Sequence, residues 1–329
     1  MSFDSIIGQE IVVKSLKNSI SANKTGHAYI FTGPSGIGKK TVARAFAGAL
    51  LCEKPHGGEA CGGCTPCRLY NKGTNPDFYR LQAEESSIGV EAIRDLQADV
   101  IIKPMYSQRK VYLIAGADDM TAQAQNCLLK TLEEPPGYAV FILTASNYDA
   151  LLETVRSRAV KHSFRKNSFD EIFRLLESRR GGAPANAAFI AAFSDGIVGD
   201  ALKMAESAGF NSLREQTLET VLKLSKGKLY DVFASYRFFE DNRQDIGAVL
   251  NMMLSFYRDM LVLKEGGPQN MLINSDKKDI ILNNASGFGV RKLFCCIEAV
   301  EAARRNIKTN ANFQLAVEVM LMKLQEERI

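Results

Sequence analysis

The stretch GPSGIGKKT, Gly33 to Thr41, has the spacing of a phosphate-binding loop with one residue out of type. Gly33, Gly36 and Gly38 let the backbone turn its N–H groups inward around a phosphate, and Lys39 brings a charge for the outer phosphates. In a working loop the residue after the lysine ligates magnesium through a hydroxyl. Here that residue is Lys40, whose ammonium has no acceptor atom. Thr41 lies about 100° further round the helix and does not replace it. Metal-assisted hydrolysis also needs an Asp, and then often a Glu, at the end of a later apolar strand. The strand KVYLI ends at Ile114, and Ala115 and Gly116 follow. Neither can hold a metal or polarise water. Asp118 and Asp119, just beyond, read as turn and helix-capping residues. The loop is therefore expected to bind ATP or ADP weakly or not at all, and to hydrolyse nothing.

The second chemical constellation is a set of thiols. Of seven cysteines, Cys52, Cys61, Cys64 and Cys67 follow C-x8-C-x2-C-x2-C, while Cys127, Cys295 and Cys296 are scattered through helical segments. Two CxxC steps sharing a cysteine, set among Gly62, Gly63 and Pro66, let four thiolates converge on one tetrahedral ion. Zinc is the expected metal. Four cysteines leave no open position for water, so the role is structural: folding an insertion of about residues 52–72 that otherwise lacks a core. The alternative is free or redox-active thiols.

The elements that must position these groups alternate. Apolar strands are expected at 27–33, 77–83, 110–117, 139–146 and 160–164, with helical patterns at 41–51, 90–102, 121–134 and 151–158. Short apolar runs between helices imply an α/β fold, a parallel sheet with helices on both faces. The helix after Gly38 then points its N-terminus at bound phosphate. Strand signals stop near residue 165. SFDEIFRLLESRR and the segment 185–206 give three short helices, punctuated by the turn RRGGAP at 179–184 and by Gly196 and Gly199. From residue 209 onward the apolar spacing is helical throughout, as in SLREQTLETVLKL and NFQLAVEVMLMKLQEE.

Bulk composition narrows the class without deciding it. Nearly half of the 329 residues are apolar and about a quarter charged, as in a globular chain of two or three domains. A net charge of +4 permits contact with nucleic acid without arguing for it. The start, MSFDSIIGQE, lacks a basic stretch leading into an apolar core, so no secretory leader is expected. No uninterrupted apolar run reaches the roughly 18 residues a membrane span requires, so a cytoplasmic location is expected.

The order GQE, HAYIFTGPSGIGKKT, the four-cysteine insertion, KVYLI, NCLLKTLEEPPGYAVFILTASN and VRSRA resembles the bacterial clamp-loader subunits of the AAA+ class. These motifs span roughly the first 160 residues, and LLKTLEEPP before an apolar strand is highly specific. The resemblance implies a P-loop AAA+ domain at 1–164, a small helical lid domain at 165–208 and an all-α collar domain at 209–329 that joins the assembly. The family has ATP-hydrolysing gamma/tau motor subunits and a catalytically silent subunit, and the departures place this chain with the silent one. The motors carry GKT or GKS, an Asp-Glu pair, and a sensor arginine in GSxRDAL. Here the matching positions are Lys40, Ala115 and Gly116, and Gly199 in DGIVGDAL. The end at residue 329 likewise leaves out the long extension of a tau subunit.

What the resemblance retains is Arg158 in RSRA, at the arginine of the family's SRC motif with Ala159 in place of the cysteine. In that family this arginine reaches the ATP of a neighbouring subunit and offsets charge on the transferred phosphoryl group. Read without the family, Arg158 is an arginine favoured near a helix C-terminus; Arg156 points to another face. The implied assembly is a hetero-oligomer with the gamma/tau motors and the delta subunit of DNA polymerase III. It loads the sliding clamp onto primed DNA, with no membrane partner. Two other readings are open: a motor in which Asp118 or Asp119 stands in for the missing acids, and a zinc-dependent DNA-binding protein. The insertion is not basic, since its charges between Cys52 and Cys67 are Glu53, Lys54 and Glu59.

Overall fold

The computed structural model describes residues 2–83, 87–178, 186–226, 229–285 and 287–325. The expected turn at 179–184 and residues 326–329, on which the expected last helix ends, lie outside the described residues. The chain forms two compact units, one of residues 1–175 with 195–200, the other of 176–194 with 201–329.

The first unit is built in the order α1 (Glu10–Ser21), β1 (Ala28–Thr32), α2 (Lys39–Leu51), α3 (Thr65–Lys72), β2 (Phe78–Gln82), α4 (Val90–Val100), β3 (Lys110–Ala115), α5 (Ala122–Glu133), β4 (Ala139–Ala145), α6 (Glu153–Arg156), β5 (Val160–Ser163) and α7 (Phe169–Glu177). The five strands make one sheet in the order β2-β3-β4-β1-β5, parallel at every pairing. The three central strands, β3, β4 and β1, are buried throughout because both faces are covered, while the edge strands β2 and β5 carry exposed polar residues. Tyr29, Phe31, Leu113 and Ile142 meet Val12 and Leu16 of α1 and Val42 and Phe46 of α2. The alternate residues Ile30, Tyr112, Ile114, Phe141 and Leu143 meet Ile93 and Leu96 of α4 and Leu128 and Leu132 of α5. Each such side chain contributes about 1.5–3 kcal/mol by leaving water. The α/β expectation is met. α1 and α3 are additional to the expected helices; α3 has only eight residues, too short for periodicity to reveal.

Parallel strands place their carboxyl ends on one side of the sheet. The glycine loop follows β1, Gly116 follows β3 and Ser146 follows β4, so three chain reversals converge at one edge.

The second unit is helical throughout its described residues. It contains α8 (Ala187–Phe193), α9 (Val198–Glu206, of which 201–206 belong here), α10 (Ala208–Lys226), α11 (Leu229–Asp241), α12 (Ile246–Lys264), α13 (Lys278–Ala285), α14 (Val290–Lys308) and α15 (Phe313–Gln325). The helical reading of residues from 209 onward is met. α12 lies against α10, α13 and α14. One correction concerns the membrane. The segment Arg243–Lys264 is long and apolar enough to cross a bilayer by length and composition. A search for uninterrupted apolar runs misses it, because Asn251, Ser255, Arg258 and Asp259 break the run. Its apolarity is explained by packing: Val249, Leu250, Met253, Phe256 and Met260 are all buried in this unit. Asp259 is buried there too, its carboxylate accepting from the backbone N–H groups of Ile273 and Asn274 at 3.1 and 2.7 Å. Arg214 is likewise buried. It lies over the Phe189 ring at 3.6 Å and makes paired hydrogen bonds of 2.8 and 2.7 Å to Asp276.

Candidate functional site

The glycine loop has its expected context: Gly33 closes β1, and α2 begins at Lys39 with Gly38 as its N-cap. A cavity of about 440 Å³ opens over it, lined by Gly36, Lys39, Lys40, Thr41, Asp118 and Ser146 among others. Lys39 is buried, and its ammonium is turned onto the protein itself. It donates to the carbonyls of Gly33 and Pro34, the latter at 2.9 Å, and to the Ser146 hydroxyl at 3.2 Å. Burial pushes the Lys39 pKa down, the nearby Asp118 carboxylate opposes this, and Lys40 adds to it. Lys40 and Thr41 are exposed at the cavity.

Where a working site carries two acids, Ala115 is buried and Gly116 takes a left-handed conformation with φ +82°. A Cβ on Gly116 would lie 2.5 Å from Oδ2 of Asp119, so that carboxylate fills the place of a side chain at 116. Asp118 lines the cavity, and its Oδ2 accepts from the backbone N–H groups of Ser146 and Asn147, at 2.9 and 2.8 Å. It ties the end of β3 to the end of β4. The helix-capping part of the expectation needs correction, because α5 is capped by Thr121, whose hydroxyl accepts from Ala124 N–H at 3.2 Å. Gly199 is in direct contact with the loop. Its N–H donates to the Gly36 carbonyl at 2.9 Å, and a Cβ there would sit 2.9 Å from the same oxygen.

Arg158 follows α6 on the surface of the first unit. Its Nη2 pairs with Glu133 at 2.6 Å, and its Nη1 donates to the Thr154 carbonyl at 2.9 Å and to Ser157 Oγ at 3.3 Å. Arg156 is engaged elsewhere, with Asp149 at 2.9 Å and over the Tyr148 ring at 5.1 Å. Below them Gln125, buried on α5, fixes the approach to α6: it accepts from Leu152 N–H at 2.7 Å and donates to the Ala150 carbonyl at 3.1 Å. Spacing alone did not single out Glu133 or Gln125; the only signal for Glu133 is an acid at a helix C-terminus, the unfavourable end for one.

The four cysteines of the insertion come together. Cys52 ends α2, Cys64 is the N-cap of α3 and Cys67 lies in its first turn; the four Sγ atoms all fall within 4.8 Å of one another. Cys52 and Cys64 sulfurs are 3.9 Å apart. That is close to the roughly 3.8 Å edge of a tetrahedron with Zn–S bonds of about 2.3 Å, so the cluster could hold a metal such as zinc. The thiols are strongly differentiated. Hydrogen bonds from the backbone of Cys64 and Gly63 pull Cys61 down to about 6, whereas burial pushes Cys52 and Cys67 up. Contrary to expectation, the insertion does not depend on the thiols alone. Tyr70 of α3 is buried, packs edge-on against Phe78 at 4.9 Å and donates to the Arg44 carbonyl at 2.7 Å.

Comparison with known proteins shows the family. Residues 8–168 match the family described as "DNA polymerase III, delta subunit", and residues 208–326 match "DNA polymerase III, delta subunit, C terminal". DNA polymerase III subunit delta' of Bacillus subtilis (strain 168) is 31% identical over 325 residues, covering 97% of this chain and 96% of that protein. The chain belongs to the delta-prime family of DNA polymerase III clamp-loader subunits. The delta' subunit of Pseudomonas aeruginosa is 36% identical over 206 residues, 62% of either chain. This delta-prime family chain is also similar to DNA polymerase III subunit gamma of Buchnera aphidicola, 28% identical over 98% of its length and 94% of the relative's. Among solved structures it aligns with a gamma subunit-related protein of Thermotoga maritima, with 17% identity over 96% of this chain and 99% of that one, at a TM-score of 0.42.

Proposed function

We propose that this chain is a non-hydrolysing subunit of the clamp loader, bracing the ring and lending Arg158 in trans to the ATP of a neighbouring subunit. The observation that carries the reading is Gly116. Hydrolysis draws on an Asp and a Glu at positions 115 and 116; Ala115 and Gly116 supply neither, and the left-handed backbone at 116, with Asp119 Oδ2 2.5 Å from where a Cβ would lie, disfavours adding one. The self-engaged Lys39, the cation at Lys40 and the Gly199–Gly36 contact support the same reading. In this proposal Gly33, Gly36, Gly38, Lys39, Lys40 and Thr41 form a degenerate pocket in which ATP or ADP binds weakly or not at all. Cys52, Cys61, Cys64 and Cys67 hold one structural zinc ion. Its partners are the gamma/tau motors and the delta subunit, with the sliding clamp and primed DNA engaged by the assembly in the cytoplasm. The lid is assigned to 165–208 and the collar to 209–329.

The rival reading, a motor with relaxed motifs, draws on the likeness to gamma and would need Asp118 or Asp119 as the acid. Against it, Oδ2 of Asp118 is already committed to two backbone N–H groups, and neither Asp118 nor Asp119 stands at the strand-end positions 115 and 116. The experiment is ATP turnover by the reconstituted loader, stimulated by clamp and primed DNA, with Lys39→Ala or Arg158→Ala in this chain. A sharp loss with Arg158→Ala and little change with Lys39→Ala is expected. The reverse result would assign the chain to the motors.

A further inference from the structure

Glu133 ends α5, immediately before Glu134 and the Pro135-Pro136 stop. A carboxylate at a helix C-terminus meets the negative end of the dipole, so its own helix does not favour it. What it meets instead is Arg158, at 2.6 Å between Oε1 and Nη2. We propose that Glu133 is a positioning residue that holds Arg158 back from the neighbouring subunit's nucleotide until clamp and primed DNA engage the loader. The proposal rests on reading Arg158 as an arginine finger.

Three features fit this role. Both terminal nitrogens of the guanidinium are engaged by its own unit, Nη2 by Glu133 and Nη1 by the Thr154 carbonyl and Ser157 hydroxyl. The side chain is thus folded back along α6 rather than extended. The pair is accessible, with side chains 35% and 49% exposed for Arg158 and Glu133. An exposed ion pair is weak and exchangeable, and a triphosphate carries more negative charge than one carboxylate, so a phosphate brought within reach displaces it. The frame beneath is fixed: Gln125, Leu151 and Val155 are buried, so release needs only a rotamer change of Arg158. The waiting and engaged states then differ in the partner of one guanidinium, with no rebuilding of the fold.

The test is Glu133→Gln in the reconstituted loader, which removes the charge and keeps the shape. Turnover is measured with and without clamp and primed DNA, beside Arg158→Ala and the double variant, with Glu133→Ala as a second removal of the charge. The expected result is a rise in unstimulated turnover of roughly two- to five-fold, the population change that losing an exposed ion pair allows. Stimulated turnover stays near its original value, and the rise vanishes in the double variant. A purely structural Glu133 would not raise the unstimulated rate in an Arg158-dependent way. If Glu133→Gln leaves that rate unchanged or lowers it while Arg158→Ala alone slows stimulated turnover, the proposal is overturned and the finger stands. If Arg158→Ala alone changes nothing, the finger reading itself fails, and this proposal with it.

Discussion

The N–H of Gly199 donates to the carbonyl oxygen of Gly36 at 2.9 Å, placing the backbone of this segment directly on the backbone of the glycine loop. Any Cβ at 199 would approach that oxygen to 2.9 Å and the Gly36 Cα to 3.1 Å. Both neighbours are main-chain atoms, so relief requires the loop or residues 195–200 to move. Gly199→Ala should therefore lower stability by about 1–3 kcal/mol, as overpacking does. Gly199→Arg, which would supply the sensor arginine expected from the resemblance, should destabilise at least as much and confer no tighter nucleotide binding. Urea unfolding and nucleotide titration check this; a stable Gly199→Arg variant that gains affinity for ATP would show that the loop is held open for a ligand.

Restoring the acids should fail for a separate reason. In Ala115→Asp/Gly116→Glu, the second side chain would enter at φ +82° against the Asp119 carboxylate. A non-glycine residue in this region costs roughly 1–2 kcal/mol, and two facing carboxylates add repulsion. The variant should melt lower and hydrolyse no ATP, alone or with Lys40→Thr added. Measurable turnover by the triple variant would mean that the missing residues, rather than the backbone around them, keep the site silent.

Deficits at single positions are legible in the sequence because their motifs are local. The run from Gly33 to Thr41 fixes the loop, and KVYLI before Ala115 fixes where acids should be. The parallel sheet follows from strands buried on both faces, which leave uninterrupted apolar runs. Relationships between distant positions are a different matter. Nothing in LLKTLEEPP reveals that Glu133 meets Arg158, and nothing in DGIVGDAL reveals that Gly199 rests on Gly36. Those contacts depend on how α5 meets α6 and how residues 195–200 return to the sheet unit, which no single-chain spacing encodes. Asp259 is a similar case. Its carboxylate is fully buried because the segment before α13 supplies two backbone N–H groups, a contact that no local motif marks.

The cysteine cluster makes a prediction about metal removal. Four sulfurs within 4.8 Å cannot all carry negative charge without a cation among them, and burial pushes the Cys52 and Cys67 thiols up. Elemental analysis should find one zinc per chain. A strong chelator should release it, and the insertion should then become more susceptible to protease, while the sheet unit keeps its secondary structure because Tyr70 and Phe78 stay packed. Cys64→Ser should act like the chelator. Retention of zinc by Cys64→Ser, or no zinc in the purified protein, would contradict the tetrathiolate assignment.

Asp276 gives the chain an acid-sensitive element with a definite sign. Burial raises its carboxyl, but the paired hydrogen bonds and charge of Arg214 outweigh this, and the net pKa lies below the ordinary 3.8. The folded state therefore holds fewer protons than the unfolded state just below that value, and stability rises with pH across the window. The contribution is fully present above about pH 4 and is lost as pH falls through the depressed pKa. Asp276→Asn removes the charge facing buried Arg214 and should cost about 1.5–3 kcal/mol near neutrality, the range for hydrogen bonds to charged groups. The loss should shrink as acid protonates the native carboxyl, so denaturant midpoints of the two proteins converge once the pH has fallen below the depressed pKa. Parallel curves down to that pH would mean that Arg214 is held by its stacking on Phe189 and its bond to Asn274, with Asp276 incidental.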